Sequence, residues 1–313
     1  MRIGIIMDSA VDLPNEFIEK ENITVMPVTI QIGNAVLADV RSEEATMGFL
    51  TGETGERAFE AVSTPYGVQD VHDLFLNKLV FDYDYVFCIT TAASRSGIYD
   101  NAVQASYSIL NDYKPIRAQA GNNTPFSLRV VDSQNVFPGP GVVVVEAARL
   151  RDAGEAPPKI RNSLEALVQN VHAYMVPRDL YYLRNRTRIR GDRSVSLFSA
   201  FMGTTLDIKP ILHANRGETG PVGKVKGFDH AVEKMFGFVG NRVREGLLTP
   251  AVVLSYGGDL AEMRAMPGYT RLREVCGEHD VTVYETFMGL PGIVNVGKGA
   301  LAVGFAAEHK KFE

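Results

Sequence analysis

The sequence predicts an α/β fold made of two α/β domains, and three observations carry that prediction. Short apolar runs alternate with longer amphipathic ones along all 313 residues, the pattern of strands separated by helices. The short runs are rich in Val and Ile and of strand length, at 3–7, 23–32, 85–90, 128–132, 171–176, 207–213, 251–256, 281–287 and 301–305. Between two halves of this pattern, residues 152–160 (DAGEAPPKI) carry Gly, two prolines and charges but no apolar period. The chain therefore divides near 156, into 1–156 with a mainly parallel sheet and 157–313 with its own α/β core.

The helices follow from spacing. In 67–80, Val68, Val71, Leu74, Leu76 and Leu79 fall mostly on one stripe, and 228–247 and 259–276 show similar periodicity. Two apolar strands end in the same dipeptide, Asp8-Ser9 and Asp132-Ser133. Such pairs either cap the next helix or line a cleft, because ligands in open α/β sheets sit beyond the carboxyl ends of strands. Asp12 is expected to start the helix after the first strand, with Pro14 near its first turn.

Composition narrows the function classes. The formal net charge is −5, which argues against a nucleic-acid partner. The two cysteines, Cys88 and Cys276, form no CxxC motif and suit a reducing compartment. Neither a signal peptide nor an apolar run of membrane-spanning length is legible, so a cytoplasmic location is expected. Residues 220–225 (GPVGKV) lack the first Gly and the final Ser or Thr of a phosphate loop. Residues 297–302 (GKGALA) fit Gly-x-Gly-x-x-Ala but lead into a strand-like run and not a helix. The six histidines make no metal-ligand pair, and no cofactor is implied.

Hydroxyls after strands are more informative. A strand ending near Ile89 runs into Thr90, Thr91, Ser94, Ser96 and Gly97, then helical spacing from Tyr99. A second turn, Val62-Ser63-Thr64-Pro65, precedes the helix at 67–80. Each offers O–H donors beside a helix N-terminus, an arrangement suited to a carboxylate or phosphate. Residues 181–193 carry Arg184, Arg186, Arg188, Arg190 and Arg193, read either as a solvated surface or as a patch that docks an anion or partner.

These stretches in their order resemble the DegV family, best understood as fatty-acid-binding subunits of bacterial fatty acid kinase. DSAVDLP at 8–14 is similar to the family's opening Asp-Ser-x-x-Asp-Leu-Pro, and ITVMPVTIQIGN at 23–34 to its second strand with Pro. STP at 63–65 stands where the family has Thr-Ser-Gln-Pro, and SGIY at 96–99 resembles Ser-Gly-Thr-Tyr. The blocks at 130–150, 180–189 and 203–212 resemble its Asp-Ser block with the following helix, its Leu-Arg-Gly-Gly-Arg-Ile and its Asn-Ile-Lys-Pro-Ile-Leu.

The resemblance implies two α/β domains with a lipid cleft between them. It implies a fatty acid whose carboxylate is held, by position, by Ser96 and by Ser63 or Thr64. It further implies a non-catalytic subunit, without a nucleotide site, that presents the acid to a separate kinase for acyl-phosphate formation. The sequence departs from the family in places. Asn295 stands where His is usual near the head group, Lys298 where Pro is, Ile98 where Thr is, and Arg186-Thr187 where Gly-Gly is. Asn donates a hydrogen bond but carries no charge.

Two alternatives stay open at this point. One is an enzyme for a small anionic or phosphorylated substrate, using Asp8, Asp132 and the arginines. The other is a regulatory module that docks a partner through Arg184, Arg188 and Arg190.

Overall fold

The computed structural model describes residues 1–52, 55, 57–190 and 207–313, the last four residues of the helix at 180–190 by backbone alone. Its first sheet is all parallel, in the order β2-β1-β6-β7, from Thr24–Met26 (β2), Ile3–Asp8 (β1), Tyr85–Thr90 (β6) and Ser127–Asp132 (β7). Successive residues of β1 and β6 point to opposite faces, and both faces are dry, as a parallel sheet requires. Ile6, Val86 and Cys88 pack on one side under the helix Ile98–Gln119 (α4) and Val68–Leu74 (α3). Ile5, Met7, Phe87 and Ile89 pack on the other under Pro138–Asp152 (α5) and Pro157–Leu167 (α6).

The second sheet has six strands, in the order β10-β9-β8-β13-β11-β12. They are Val171–Val176 (β8), Ile208–Asn215 (β9), Glu218–Lys226 (β10), Ala251–Tyr256 (β11), Thr282–Phe287 (β12) and Leu301–Ala306 (β13). Only β11 and β12 pair in parallel; the other neighbours are antiparallel. Helices Phe228–Glu245 (α8) and Tyr269–Glu278 (α10) cover one face. On the other lies α5, whose Val142–Val145 run is buried against both large sheets. The approach is close: a Cβ on Gly304 of β13 would lie 2.5 Å from the Pro138 carbonyl oxygen at the start of α5.

Several expectations change. The run at 23–32 is not one strand. Pro27 has no N–H to give a ladder, and the chain passes there from β2 into Val28–Ile32 (β3) of a third, antiparallel sheet, β4-β3-β5. Its other strands, Ala35–Asp39 (β4) and Val62–Thr64 (β5), are short and partly exposed, which hid them from an apolar-run reading. Strand β10 was also missed, because its Gly and Pro disguise it. The helix at 259–276 is two, Leu260–Arg264 (α9) and α10, separated at Pro267-Gly268, where Gly268 takes φ +85°. The helix at 67–80 is α-helical only over α3 and continues as a wider π turn at Phe75–Leu79. The prolines of 152–160 lie at the start of a helix. They occupy the first turn of α6, where a missing N–H costs nothing.

Asp12 does not start a helix. It is a buried node: its carboxylate accepts from Arg41 Nη1 (2.7 Å), Ser255 Oγ (2.6 Å) and the Gly289 N–H (2.9 Å). Arg41 also donates to the carbonyls of Leu13 (3.0 Å) and Phe287 (3.3 Å) and to Thr286 Oγ1 (3.1 Å). One ion pair thus ties the end of β1, the segment after β4 and the ends of β11 and β12. Beside it Asp39 is buried, and loss of water raises its pKa against the lowering pull of Arg41.

Candidate functional site

Asp8 and Asp132 end the two strands that flank β6, and both turn their carboxylates onto the loop that follows it. Asp8 Oδ2 accepts the Thr91 N–H (2.7 Å), and Asp8 Oδ1 accepts Thr91 Oγ1 (2.9 Å) and the Ala10 N–H (3.0 Å). Asp132 Oδ1 accepts the N–H groups of Ala93 (3.1 Å) and Gln134 (2.8 Å). Ser9 Oγ accepts the Val28 N–H (2.9 Å), and Ser133 Oγ that of Asn135 (3.2 Å). Both Asp-Ser pairs brace backbone. Burial raises the Asp8 pKa, opposed by its bonds to Thr91.

The loop so held, 91–97, meets the six-stranded sheet. Ser94 Oγ donates to the Gly217 carbonyl in the β9–β10 turn (2.7 Å). Asn135 Nδ2 donates to the carbonyls of Val171 (2.9 Å) and Ala214 (3.1 Å). Between these contacts and the small sheet lies a cavity of about 300 Å³, at the lower end of the range for small-molecule sites.

Its walls come from every part of the fold. The loop after β6 supplies Thr91, Arg95, Ser96 and Gly97, and β5 supplies Ser63. Met175 and Leu212 come from the six-stranded sheet, and Val136 and Phe137 from the chain entering α5. Leu183 and Arg186 stand on the helix Leu180–Arg190 (α7), and Pro291, Asn295 and Val296 on Leu290–Val296 (α11). Apolar side chains make most of the surface. Ser63, Thr91, Ser96, Thr219, Asn295 and two arginines are its polar side chains, and no Asp or Glu appears among the described lining residues.

Of the residues singled out in the sequence, Ser63, Ser96, Gly97 and Asn295 share this cavity. Thr64 does not line it; it is exposed, as the alternation of a strand requires when Ser63 faces inward. Ser96 Oγ accepts the Ile98 N–H (3.3 Å), which uses a lone pair and leaves the O–H able to donate. The Thr91 hydroxyl is taken by Asp8. Asp8, Ser9, Asp132 and Ser133 lie behind the wall. Among the described residues, Asp8 and Asp132 do not line the cavity that Arg186 reaches.

The arginine run divides. Arg184 is exposed, while Arg186 is buried at 3% exposure and reaches the cavity, contrary to a uniform surface patch. The side chains of Arg188, Arg190 and Arg193 lie outside the described residues. Arg186 Nε and Nη2 donate to Asn295 Oδ1 (3.3 and 3.4 Å), and Nη1 donates to the Phe59 carbonyl (3.3 Å) and to that of Ala61. One turn earlier on α7, Tyr182 donates to the Val294 carbonyl (2.8 Å) and packs edge-on to Phe59. Burial pushes the pKa of its phenol up. Nothing in the local sequence marked Arg95 or Arg186 as cavity residues, because their neighbours come from distant segments.

The model of a protein family described as uncharacterised, DegV, matches residues 2–308 of the chain. The chain belongs to the DegV family. A DegV domain-containing protein of Xanthomonas axonopodis pv. citri is 56% identical to it over 312 residues, 100% of this chain and 99% of that protein. A fatty acid-binding protein of Thermotoga maritima is 26% identical over 242 residues, 75% of each. Among solved structures, the DegV fold is shared with DegV, a fatty acid binding protein from Bacillus subtilis. That likeness has TM-score 0.75 and 20% identity, and covers 98% of this chain and 100% of the other. No helix among the described residues is long and apolar enough to cross a membrane.

Proposed function

We propose that this DegV-family chain is a cytoplasmic, non-catalytic carrier of a long-chain fatty acid, held in the cavity where the three sheets meet. The tail lies along Met175, Leu212, Phe137 and Leu183, and the carboxylate at the end lined by Ser63, Ser96 and Asn295. The observation that carries this reading is the lining itself: apolar walls with hydroxyls and two guanidinium groups, and no carboxylate among the described lining residues. Such a site suits an amphiphile with one negative end.

Magnitudes divide the labour. Burying a sixteen-carbon tail yields on the order of 10 kcal/mol gross. One hydrogen bond to a charged group contributes about 1.5–3 kcal/mol. The tail supplies affinity and the hydroxyls supply orientation. An oriented carboxylate near the surface is then available to a second protein, and we assign that role to a kinase subunit that forms the acyl phosphate. The division of the chain near 156 belongs to the same proposal, with the ligand lying between the two parts.

Mass spectrometry of the denatured, purified protein is the direct test, backed by addition of palmitic acid to delipidated protein. A fatty acid released at about one per chain supports the carrier. If none co-purifies and none binds when added, the reading is wrong. Incubation of the loaded protein with a fatty acid kinase and ATP then tests handover, acyl phosphate being the expected product.

A further inference from the structure

On the face of the six-stranded sheet turned away from the cavity, three histidines gather where β8, β9 and the segment 307–313 meet. His172 Nε2 lies 3.0 Å from the Ala307 carbonyl oxygen, and His172 Nδ1 lies 2.9 Å from His213 Nε2. A carbonyl only accepts, so His172 carries its proton on Nε2 and its bare Nδ1 accepts from His213 Nε2–H. A chain of bonds thus runs from β9 through β8 to the segment 307–313. We propose that this chain is an acid-sensitive latch: a proton taken up by the histidine pair opens it, frees the segment 307–313 and loosens the cavity floor on the other face of β8 and β9, so that cargo leaves faster at low pH. The release of cargo rests on the fatty-acid reading of the cavity; the latch itself does not.

The link to the cavity is the strand register. Tyr174 of β8 stands opposite His213 of β9, and Met175 opposite Leu212. Successive strand residues face opposite ways, so Met175 and Leu212, which line the cavity, lie on the reverse of the strands that carry the histidines. The segment at the other end of the chain is held by a few contacts. The Ala307 N–H donates to the Asn170 carbonyl (3.0 Å), Arg242 Nη2 donates to the Glu308 carbonyl (2.8 Å), and Lys310 pairs with Glu245. Phe312 is buried between Tyr174 and Phe238, with ring centroids 5.6 and 4.7 Å away.

The surroundings resist a charge on the pair. Helix α8 brings Arg242, whose partner Glu245 also pairs with Lys310, and Lys234, which sits over the Phe312 ring. The β9–β10 turn brings Arg216, and the segment brings His309, its ring 5.8 Å from His172 and 6.1 Å from His213. The flanking strands face the pair with uncharged residues, Phe305 of β13 opposite His172 and Gly220 of β10 opposite His213, and the Tyr174 ring stacks on His213 at 4.4 Å. A second proton on His172 must go to Nδ1, where it meets the His213 N–H, donor against donor. A proton on His213 adds positive charge beside His172 and His309. Burial already holds the two pKa values down, to about 4 and about 3.

Opening gives the rings back to water, where imidazole titrates near pH 6.5. The open form then binds protons that the closed form refuses. Opening is favoured as pH falls from about 6.5 toward 4 and is insensitive to pH above that window. One histidine raises the opening constant about thirtyfold at pH 5.

The experiment is hydrogen exchange at pH 7.5 and 5.0, with protection corrected for the intrinsic pH dependence of exchange. Alongside it runs stopped-flow dissociation of a fluorescent palmitate analogue from loaded protein. In wild type the protection of the Ala307 amide is expected to fall tenfold or more at pH 5.0, well before β6 of the first sheet exchanges. In the double variant His172→Gln/His213→Gln, which keeps side-chain N–H donors but cannot titrate, the fall is expected to be less than threefold. Should that variant not fold, His213→Gln alone is expected to show a clearly smaller fall than wild type. Exchange of segment 307–313 together with β6, or a variant that responds to pH as wild type does, overturns the latch. The analogue is expected to leave wild type at least fivefold faster at pH 5.0 than at 7.5, and the variant by a much smaller factor. Its own carboxyl titrates alike in both proteins, so equal acceleration overturns the coupling to the cavity. If the analogue binds at neither pH, the carrier reading fails, and exchange still decides the latch.

Discussion

Replacing Asp12 by Ala should be among the most damaging single changes outside the hydrophobic core. Three donors lose their acceptor at once: Arg41 Nη1 at 2.7 Å, Ser255 Oγ at 2.6 Å and the Gly289 N–H at 2.9 Å. Arg41 is 2% exposed, so its charge cannot turn to water. Breaking a buried pair from one side costs about 3–5 kcal/mol, because the remaining ion stays desolvated. Asp39 offsets part of this, since a guanidinium that has lost Asp12 favours ionisation of the neighbouring acid, whose pKa is raised in the intact protein. The net expectation is a loss of about 3–4 kcal/mol. With an m-value of about 3 kcal/mol/M in urea, the unfolding midpoint followed by circular dichroism falls by about 1 M. The double variant Asp12→Ala/Arg41→Met removes both charges and should recover at least about 1 kcal/mol of the loss, since paired apolar replacement of buried ions is often near neutral. A single variant within 1 kcal/mol of wild type, or a double variant no better than the single, would refute the reasoning.

Other changes test other parts of the structure. Gly304→Ala sets a Cβ 2.5 Å from the Pro138 carbonyl oxygen and 2.9 Å from the Gly139 nitrogen, both main chain, so either β13 or α5 must move. A thermal melt should show a loss of more than about 2 kcal/mol, the upper part of the usual range for a small-to-large change in a packed core. His172 and His213 share a 2.9 Å hydrogen bond, and burial depresses their pKa values to about 4 and about 3, with His309 nearby adding to the effect. Both are neutral when folded and take up a proton near pH 6.5 when unfolded. Their contribution is therefore complete above pH 6.5 and is lost as pH falls toward 4, by about 1–2 kcal/mol each at pH 5. Urea midpoints at pH 7.5 and 5.0 should differ accordingly, and His213→Phe should flatten the difference. Leu212→Trp fills the cavity floor and should abolish co-purified lipid without lowering the melting temperature; an unchanged lipid load would remove Leu212 from the tail's path. Tyr182→Phe loses the bond to the Val294 carbonyl and should cost about 1 kcal/mol in urea unfolding.

The α/β alternation was legible because buried strands such as β6, β8 and β11 are predominantly apolar runs, and burial on both faces writes itself into sequence. The family was legible through short marks in a fixed order, and those marks pointed to Ser63 and Ser96 at the cavity. The small sheet was not legible, since β4 and β5 bury little and owe their pairing to β3. Asp12 misled because a carboxylate three residues before helical spacing is the usual sign of a cap, and its true partner Arg41 is 29 residues away. Arg186 misled for a related reason. A run of arginines reads as solvated, and the carbonyls of Phe59 and Ala61 and the Asn295 amide, brought in by the fold, help to give one of them a buried place.

The two carboxylates braced against the loop after β6 have a thermodynamic consequence for any ligand. The main-chain N–H groups of Thr91 and Ala93 are held by the carboxylates of Asp8 and Asp132, which come from the protein itself and not from a ligand. The loop that bears Ser96 is thus fixed by contacts within the fold. A ligand arriving later need not order it, and the entropy that a slack loop would lose on association is already lost. Under the proposed carrier function, cargo is held through modest contacts and released quickly, because letting go of the head group does not require the protein to come apart around it.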